Sequence, residues 1–229
     1  MYKQTISDIF FDLDHTLWDF EKNSALTFQK IFTALEIDVN LSKFLEIYVP
    51  VNLAFWKLYR DDKIKKGELR YQRLKTTFDT LQYHIEDEVI HILSAEYIAH
   101  LSSYNNLLPY TIEILDYLKP KYRLHIITNG FEEVQTKKLV NSNIFGYFDQ
   151  IVNSEMAGVK KPNPVIFELA LQKANTEAYK SLMVGDNIEA DILGAKAVGF
   201  HALHFNAHDD PKHEHCTMIH DLREIKNIL

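Results

Sequence analysis

Two carboxylates two residues apart, Asp12 and Asp14 in the stretch ISDIFFDLDHTL from Ile6 to Leu17, are the residues of this chain best suited to chemistry. They follow the run Ile9-Phe10-Phe11, which is too short for a helix of its own and lacks polar alternation, so it reads as a strand covered on both faces. Residues two apart in an extended chain point to one side, which turns both carboxylates toward one small volume at the strand's end. Charges of one sign that close together need a counter-charge or a shared proton. A hard divalent cation with oxygen ligands, magnesium, meets that need. A calcium loop opens with the same spacing, but it requires Gly at its sixth position and Glu at its twelfth, where this chain has Leu17 and Asn23. An isolated D-x-D is also read as a plain acidic turn, so the decision rests on whether the chain supplies partners.

The elements that would position such partners follow from periodicity. After Leu17 the pattern is helical for some ninety residues. Phe28, Ile31, Phe32 and Leu35, then Val51, Ala54, Phe55 and Leu58, then Tyr71, Leu74, Phe78 and Leu81, and finally Val89, Ile92 and Leu93 form amphipathic stripes that pack a helical bundle. From Pro109 strand and helix alternate. Pro109 opens a helix carrying Ile114, Leu115 and Leu118, which Pro120 stops. Tyr122 to Thr128 reads as a second buried strand, followed by a helix from about Phe131 to Val140. A third strand from Phe148 to Asn153 leads into a loop, Ser154 to Asn163, and a helix with Ile166, Phe167, Ala170 and Leu171 on one face. Ser181 to Gly185 is a fourth strand, Asp191 to Val198 a helix and His201 to Phe205 a fifth strand. Such alternation predicts an α/β fold: a Rossmann-like parallel sheet with helices on both faces. A crossover needs only a dozen or so residues, so the helical block is an inserted α-helical cap over residues 17–107, placed to act as a lid, within a core made of residues 1–16 and 108–229.

Ligands of open parallel sheets sit at the carboxyl ends of the strands. Asp12 and Asp14 follow the first strand, Thr128-Asn129-Gly130 the second, Lys161 lies beyond the third, and Gly185-Asp186 follows the fourth. One sheet edge thus collects acids, a hydroxyl, a cation and backbone amides opened by glycine, a set suited to a phosphate group with a metal ion. For each residue there is a blander role: Thr128 can satisfy a local amide, Asp186 can cap a helix, and Lys161 can be a solvated loop lysine. His208, His213, His215 and Cys216 lie close together, but without the paired spacing of a structural zinc site they read as an exposed loop. Trp18-Asp19-Phe20 reads as packing at the entry to the cap.

Composition limits the partners. With 229 residues, 46% of them hydrophobic, the chain can bury a substantial core. A net charge of -7 and no long Lys/Arg cluster argue against a nucleic-acid polymer. One cysteine, Cys216, excludes an intrachain disulfide and suits a reducing compartment. Without a bilayer-length apolar stretch or a signal-peptide pattern, a cytoplasmic protein is expected. Whether it is a monomer or a dimer is left open.

DLDHT, the hydroxyl in IITNG, the lysine of KKP and the GDNIEAD segment resemble the four motifs of the haloacid dehalogenase-like hydrolase superfamily, and the resemblance spans the whole chain, its insert being similar to the family's helical cap of the first type. The resemblance implies that Asp12 is the nucleophile and Asp14 the general acid and base. It implies Lys161, which directly precedes Pro162, as the motif lysine. Magnesium would be held by Asp12, the Asp14 backbone carbonyl and Asp186, with Asp191 orienting metal-bound water. Thr128, Asn129, Gly130 and Lys161 would meet the phosphate. These roles also make physical sense: a carboxylate attacks a phosphate only when both negative charges are offset, and the product is an aspartyl-phosphate. Dehalogenases of the family replace the second Asp, so Asp14 argues for phosphate chemistry. DLDHTLWDF, TNGF and GVKKPNPVIFELAL most resemble the bacterial nucleotidases that act on nucleoside 5'-monophosphates, often pyrimidine ones. The expectation is therefore a magnesium-dependent phosphatase of small phosphate monoesters, nucleotides first. The alternatives are a sugar-phosphate phosphatase or phosphomutase, or a non-catalytic phosphate-binding or partner-docking protein.

Overall fold

The computed structural model describes Thr5–Leu229; residues 1–4, part of the core span expected above, lie outside the described residues. In chain order the elements are β1 (Asp8–Phe11), α1 (Phe20–Ala34), α2 (Leu41–Arg60), α3 (Lys66–Thr80), α4 (Asp87–Leu101), α5 (Thr111–Leu118), β2 (Arg123–Thr128) and α6 (Glu132–Asn141). They continue with β3 (Gln150–Asn153), α7 (Ser154–Ala157), α8 (Pro164–Ala174), β4 (Ser181–Gly185), α9 (Gly194–Ala197), β5 (His201–Phe205), β6 (Thr217–Ile219) and α10 (Ile225–Ile228). Two compact units result: Met1–Phe20 with Asn105–Leu229, and Glu21–Tyr104.

The first unit is built on a six-stranded sheet of order β3-β2-β1-β4-β5-β6, parallel at every pairing. β1 is central, with Phe11 in register with Ile126 on one side and Val184 on the other. Its side chains alternate between faces, and both faces are covered. Phe10 joins Ile127, Val152 and Met183 in a core closed by Ile166, Phe167 and Ala170 of α8, while Ile9 and Phe11 on the opposite face are equally buried. This double burial is why the strands read as unbroken apolar runs.

The second unit is an aromatic-rich helical bundle. Phe28 lies 4.7 Å from Tyr97, 4.7 Å from Tyr48 and 4.8 Å from Phe44, ring centre to ring centre, and Phe44 lies 5.2 Å from Phe78. Contacts of this kind add about 0.5–1.5 kcal/mol each beyond area burial. Arg73 is buried among them, donating to Asn52 Oδ1 at 2.9 Å with its guanidinium 5.1 Å from the centre of the Tyr97 ring.

Several local expectations change. The buried stripe of α2 is Phe44, Tyr48 and Asn52, not Val51, Ala54, Phe55 and Leu58. Ile92 faces outward, half exposed, and Ile90, Leu93 and Tyr97 carry the buried face of α4. Pro109 precedes α5 rather than lying in it. The loop after β3 opens with the helical turn α7, capped by Asn153 accepting from the Met156 amide at 2.8 Å. The helix expected at Asp191 starts earlier, as a π-helical segment Ile188–Leu193 capped by Asn187 and continued by α9. β6 was not expected at all, because its three residues include two that are not buried. No helix among the described residues is long and apolar enough to cross a membrane.

Candidate active site

Because the sheet is parallel, the ends of β1, β2 and β4 lie along one edge, and that edge gathers the polar residues. Asp12 follows the last paired residue of β1, and its amide still donates to Val184 O at 2.9 Å. The chain then tightens: Leu13 O accepts from both Leu17 and Trp18 amides at 2.9 Å, and His15 takes a positive φ of 63°. Histidine tolerates that region better than most residues.

The centre of the site is Lys161, only 2% exposed. Its ammonium donates to Asp12 Oδ1 at 2.6 Å and to Ile127 O at 2.7 Å, and pairs with Asp191 Oδ1 at 2.6 Å. The backbone of Lys161 is fixed by Asn129, whose Oδ1 accepts from the Lys161 amide at 2.7 Å and whose Nδ2 donates to Lys161 O at 3.0 Å. Asp186 completes the group, since carboxylate oxygens of Asp12, Asp186 and Asp191 lie within 4.8 Å of one another. Asp186 also accepts from Thr16 Oγ1 at 3.2 Å and from His208 Nε2 at 2.9 Å.

Electrostatics follow from this crowding. Burial pushes the Asp12 carboxyl well above the usual carboxylate range; Lys161 opposes the rise, and Asp191 and Asp186 add to it. Burial raises Asp191 as well, against Lys161. Burial alone would also raise Asp186, but the His208 hydrogen bond and the nearby cationic groups bring it below its ordinary value. Burial would lower Lys161, yet Asp12 and Asp191 lift it above the usual lysine value, so it stays an ammonium. Three carboxylates around one ammonium leave an excess of negative charge, and their clustered oxygens are the hard donor set that a divalent cation such as magnesium prefers. Gly185 is needed here, for a Cβ on it would fall 2.3 Å from Asp191 Oδ2.

Asp14 is held from α6. Its Oδ1 accepts from Lys138 Nζ at 2.6 Å and its Oδ2 from Gln135 Nε2 at 3.1 Å. Gln135 Nε2 also donates to Thr128 Oγ1 at 2.7 Å, and the same hydroxyl oxygen accepts from the Gly130 amide at 3.1 Å. Thr128 thus accepts twice, with its own O–H hydrogen left to donate.

The structure therefore gathers Asp12, Lys161, Asp186 and Asp191 in one cluster and links Thr128 to Asp14 through Gln135, with the Gly130 amide on Thr128, while Asn129 holds the Lys161 backbone. Sequence reasoning missed Thr16, Gln135, Lys138 and His208. Gln135 and Lys138 had a signal, being polar residues three apart, hence on one face, of the helix that follows Thr128-Asn129-Gly130. The loop carrying His208 is largely exposed as expected, but His208 itself reaches Asp186.

Comparison with known proteins bears on the family of the chain. The chain is 30% identical over 224 residues to the pyrimidine 5'-nucleotidase PynA of Streptococcus pneumoniae, covering 96% of this chain and 92% of that protein. It is 33% identical over 201 residues to the pyrimidine 5'-nucleotidase YjjG of Escherichia coli, covering 87% and 86%. The crystal structure of the HAD-hydrolase YfnB of Bacillus subtilis, bound to magnesium, superposes with a TM-score of 0.87 over 98% of this chain and 99% of that one at 24% identity, which shows a shared fold. The family model of the haloacid dehalogenase-like hydrolases matches residues 8–199, and with its sheet and the acids at the sheet's edge this chain belongs to that family.

Proposed function

We propose that this chain is a magnesium-dependent phosphatase of small phosphate monoesters, acting first on nucleoside 5'-monophosphates through an aspartyl-phosphate on Asp12. The observation that carries the reading is the Lys161 ammonium, buried and 2.6 Å from Asp12, inside a group of three clustered carboxylates. Asp12, Asp186 and Asp191 would hold the cation, which when bound supplies positive charge against the phosphoryl oxygens.

The chain's own residues account for the rest. Lys161 offsets the charge of Asp12 and of the approaching phosphate, and the Thr128 hydroxyl donates to a phosphoryl oxygen. An Asp12 carboxylate oxygen attacks phosphorus in line as the bond to the leaving oxygen breaks, and Asp14 gives that oxygen a proton. Asp14, now a carboxylate, takes a proton from water as the water oxygen attacks phosphorus. The Asp12–phosphorus bond breaks, inorganic phosphate forms, and both carboxyl groups return to their starting states. Preference for nucleotides is supported by the names of the relatives, PynA and YjjG.

A panel of nucleoside 5'-monophosphates and sugar phosphates, with magnesium present or chelated, tests the proposal. Phosphate release that requires magnesium and ranks pyrimidine nucleotides highest is expected. Absence of metal-dependent release from every ester would overturn it, and preference for sugar phosphates would overturn the substrate class alone.

A further inference from the structure

A carboxylate that transfers protons must be held to within a fraction of an ångström, and Asp14 lies on a turn outside the sheet. What fixes it comes from α6. Lys138 and Gln135 are 2% and 1% exposed. Each holds a different oxygen of Asp14, Lys138 Nζ on Oδ1 at 2.6 Å and Gln135 Nε2 on Oδ2 at 3.1 Å, so rotation of the carboxylate about its own bond is locked. The Lys138 ammonium is itself seated 4.3 Å from the centre of the buried Trp18 ring. The Gln135 amide is seated too. It reaches Asp14 and Thr128 across the place where a side chain at Gly130 would stand, since a Cβ there would lie 2.2 Å from Gln135 Nε2. A carboxylate only accepts hydrogen bonds, which fixes which end of the amide faces it.

We propose that Lys138 and Gln135 are the positioning residues for Asp14, and that Gln135, bonded to Asp14 and Thr128 at once, keeps the proton-transferring carboxylate in register with the hydroxyl that meets the phosphate. This rests on the reading of Asp14 as general acid and base given above. Both act through Asp14, whose two oxygens they hold. Their removal therefore harms the steps that use Asp14 and spares those that do not.

The test compares a nucleoside 5'-monophosphate, whose leaving alkoxide needs a proton, with p-nitrophenyl phosphate, whose leaving group does not. In the full chain with magnesium, Lys138→Met is expected to lower kcat on the nucleotide by roughly 10- to 100-fold, less than the about 10²–10⁴ that general acid–base catalysis supplies, while KM moves by less than about threefold. On p-nitrophenyl phosphate the first turnover stays within about threefold of wild type and later turnovers slow, giving a burst of nitrophenolate. The double variant Asp14→Asn with Lys138→Met is no slower than Asp14→Asn alone, because Lys138 acts through Asp14. Gln135→Leu, which removes the amide from Asp14 with Lys138 in place, shows the same split more mildly and carries the test if Lys138→Met does not fold. Equal slowing of both substrates in the first turnover, full additivity in the double variant, or unchanged nucleotide turnover overturns the proposal while leaving the phosphatase reading intact. No metal-dependent turnover by the wild type overturns both.

Discussion

Replacing Lys161 by Met isolates the buried charge cluster from everything else in the fold. Methionine keeps most of the side-chain volume, so the change removes charge, two hydrogen bonds, to Asp12 and Ile127 O, and the ion pair with Asp191, with little loss of packing. Removing one partner of a buried ion pair costs about 3–5 kcal/mol, because the other charge is left without compensation. Here two carboxylates are left, both already pushed upward by burial. They escape part of the cost by taking up protons, at about 1.4 kcal/mol per unit of pKa shift. The sign of the pH dependence follows. A carboxyl whose pKa is higher folded than unfolded binds more protons in the folded state over the interval between the two values, so stability falls as pH rises through it. With a chelator present, Lys161→Met is thus expected to lose about 3–5 kcal/mol in urea unfolding near pH 8 and markedly less near pH 5. Added magnesium should restore part of the loss by binding the folded state alone. A loss below about 1 kcal/mol near pH 8, or one that grows as the solution is acidified, would refute the argument that Lys161 compensates two buried carboxylates.

Asp12→Asn should reduce phosphate release to below about a thousandth while leaving the thermal unfolding midpoint within a few degrees of wild type; wild-type release would dismiss Asp12 as nucleophile. Asp14→Asn should cost about 10²–10⁴ in kcat on a nucleotide, and a fall confined to KM would count against its proton-transfer role. Gly185→Ala, whose Cβ would meet Asp191 Oδ2 at 2.3 Å, should weaken the magnesium dependence of turnover, read from activity against metal concentration. At the opposite end of β1, burial would raise the Asp8 carboxyl, but hydrogen bonds from His125, Ser7, Thr176 and Arg123 outweigh it and hold the group well below the usual range. Its stabilisation is present above the unfolded carboxylate value and lost as pH falls toward the folded one. Asp8→Asn should therefore flatten acid unfolding below about pH 4 and cost about 3–5 kcal/mol at neutral pH; an unaltered acid limb would contradict this.

The sheet was legible because a strand buried on both faces must be apolar throughout, as Ile9-Phe10-Phe11 and Leu182-Met183-Val184 are. β6 was not, since an edge strand of three residues leaves too little pattern to read. In the helical unit the apolar stripe misled for α2, because its buried face carries Asn52, which Arg73 needs as an acceptor. Asp12, Lys161 and Asp186 could be nominated because each stands at or beyond a strand end. His208 could not, because a hydrogen bond between residues far apart in sequence leaves no local trace, and Lys138 offered only its place beside Gln135 on one face of α6. Asn129, a candidate for the phosphate, uses its side chain to hold the Lys161 backbone, a link between loops far apart in sequence that no local pattern reveals.

The place of β1 in the sheet bears on how the protein is made. Its two neighbours, β2 and β4, are both encoded after the helical insertion, so on the ribosome the stretch bearing Asp12 emerges first and waits more than a hundred residues for either edge to be filled. At about 5–20 residues per second that interval lasts on the order of ten seconds. Throughout it a short greasy ribbon is exposed with both rows of amides unpaired, while the helices that follow can already fold among themselves. Nascent chains stalled before β2 should accordingly be the species that chaperones capture, and chains released after β4 should escape them.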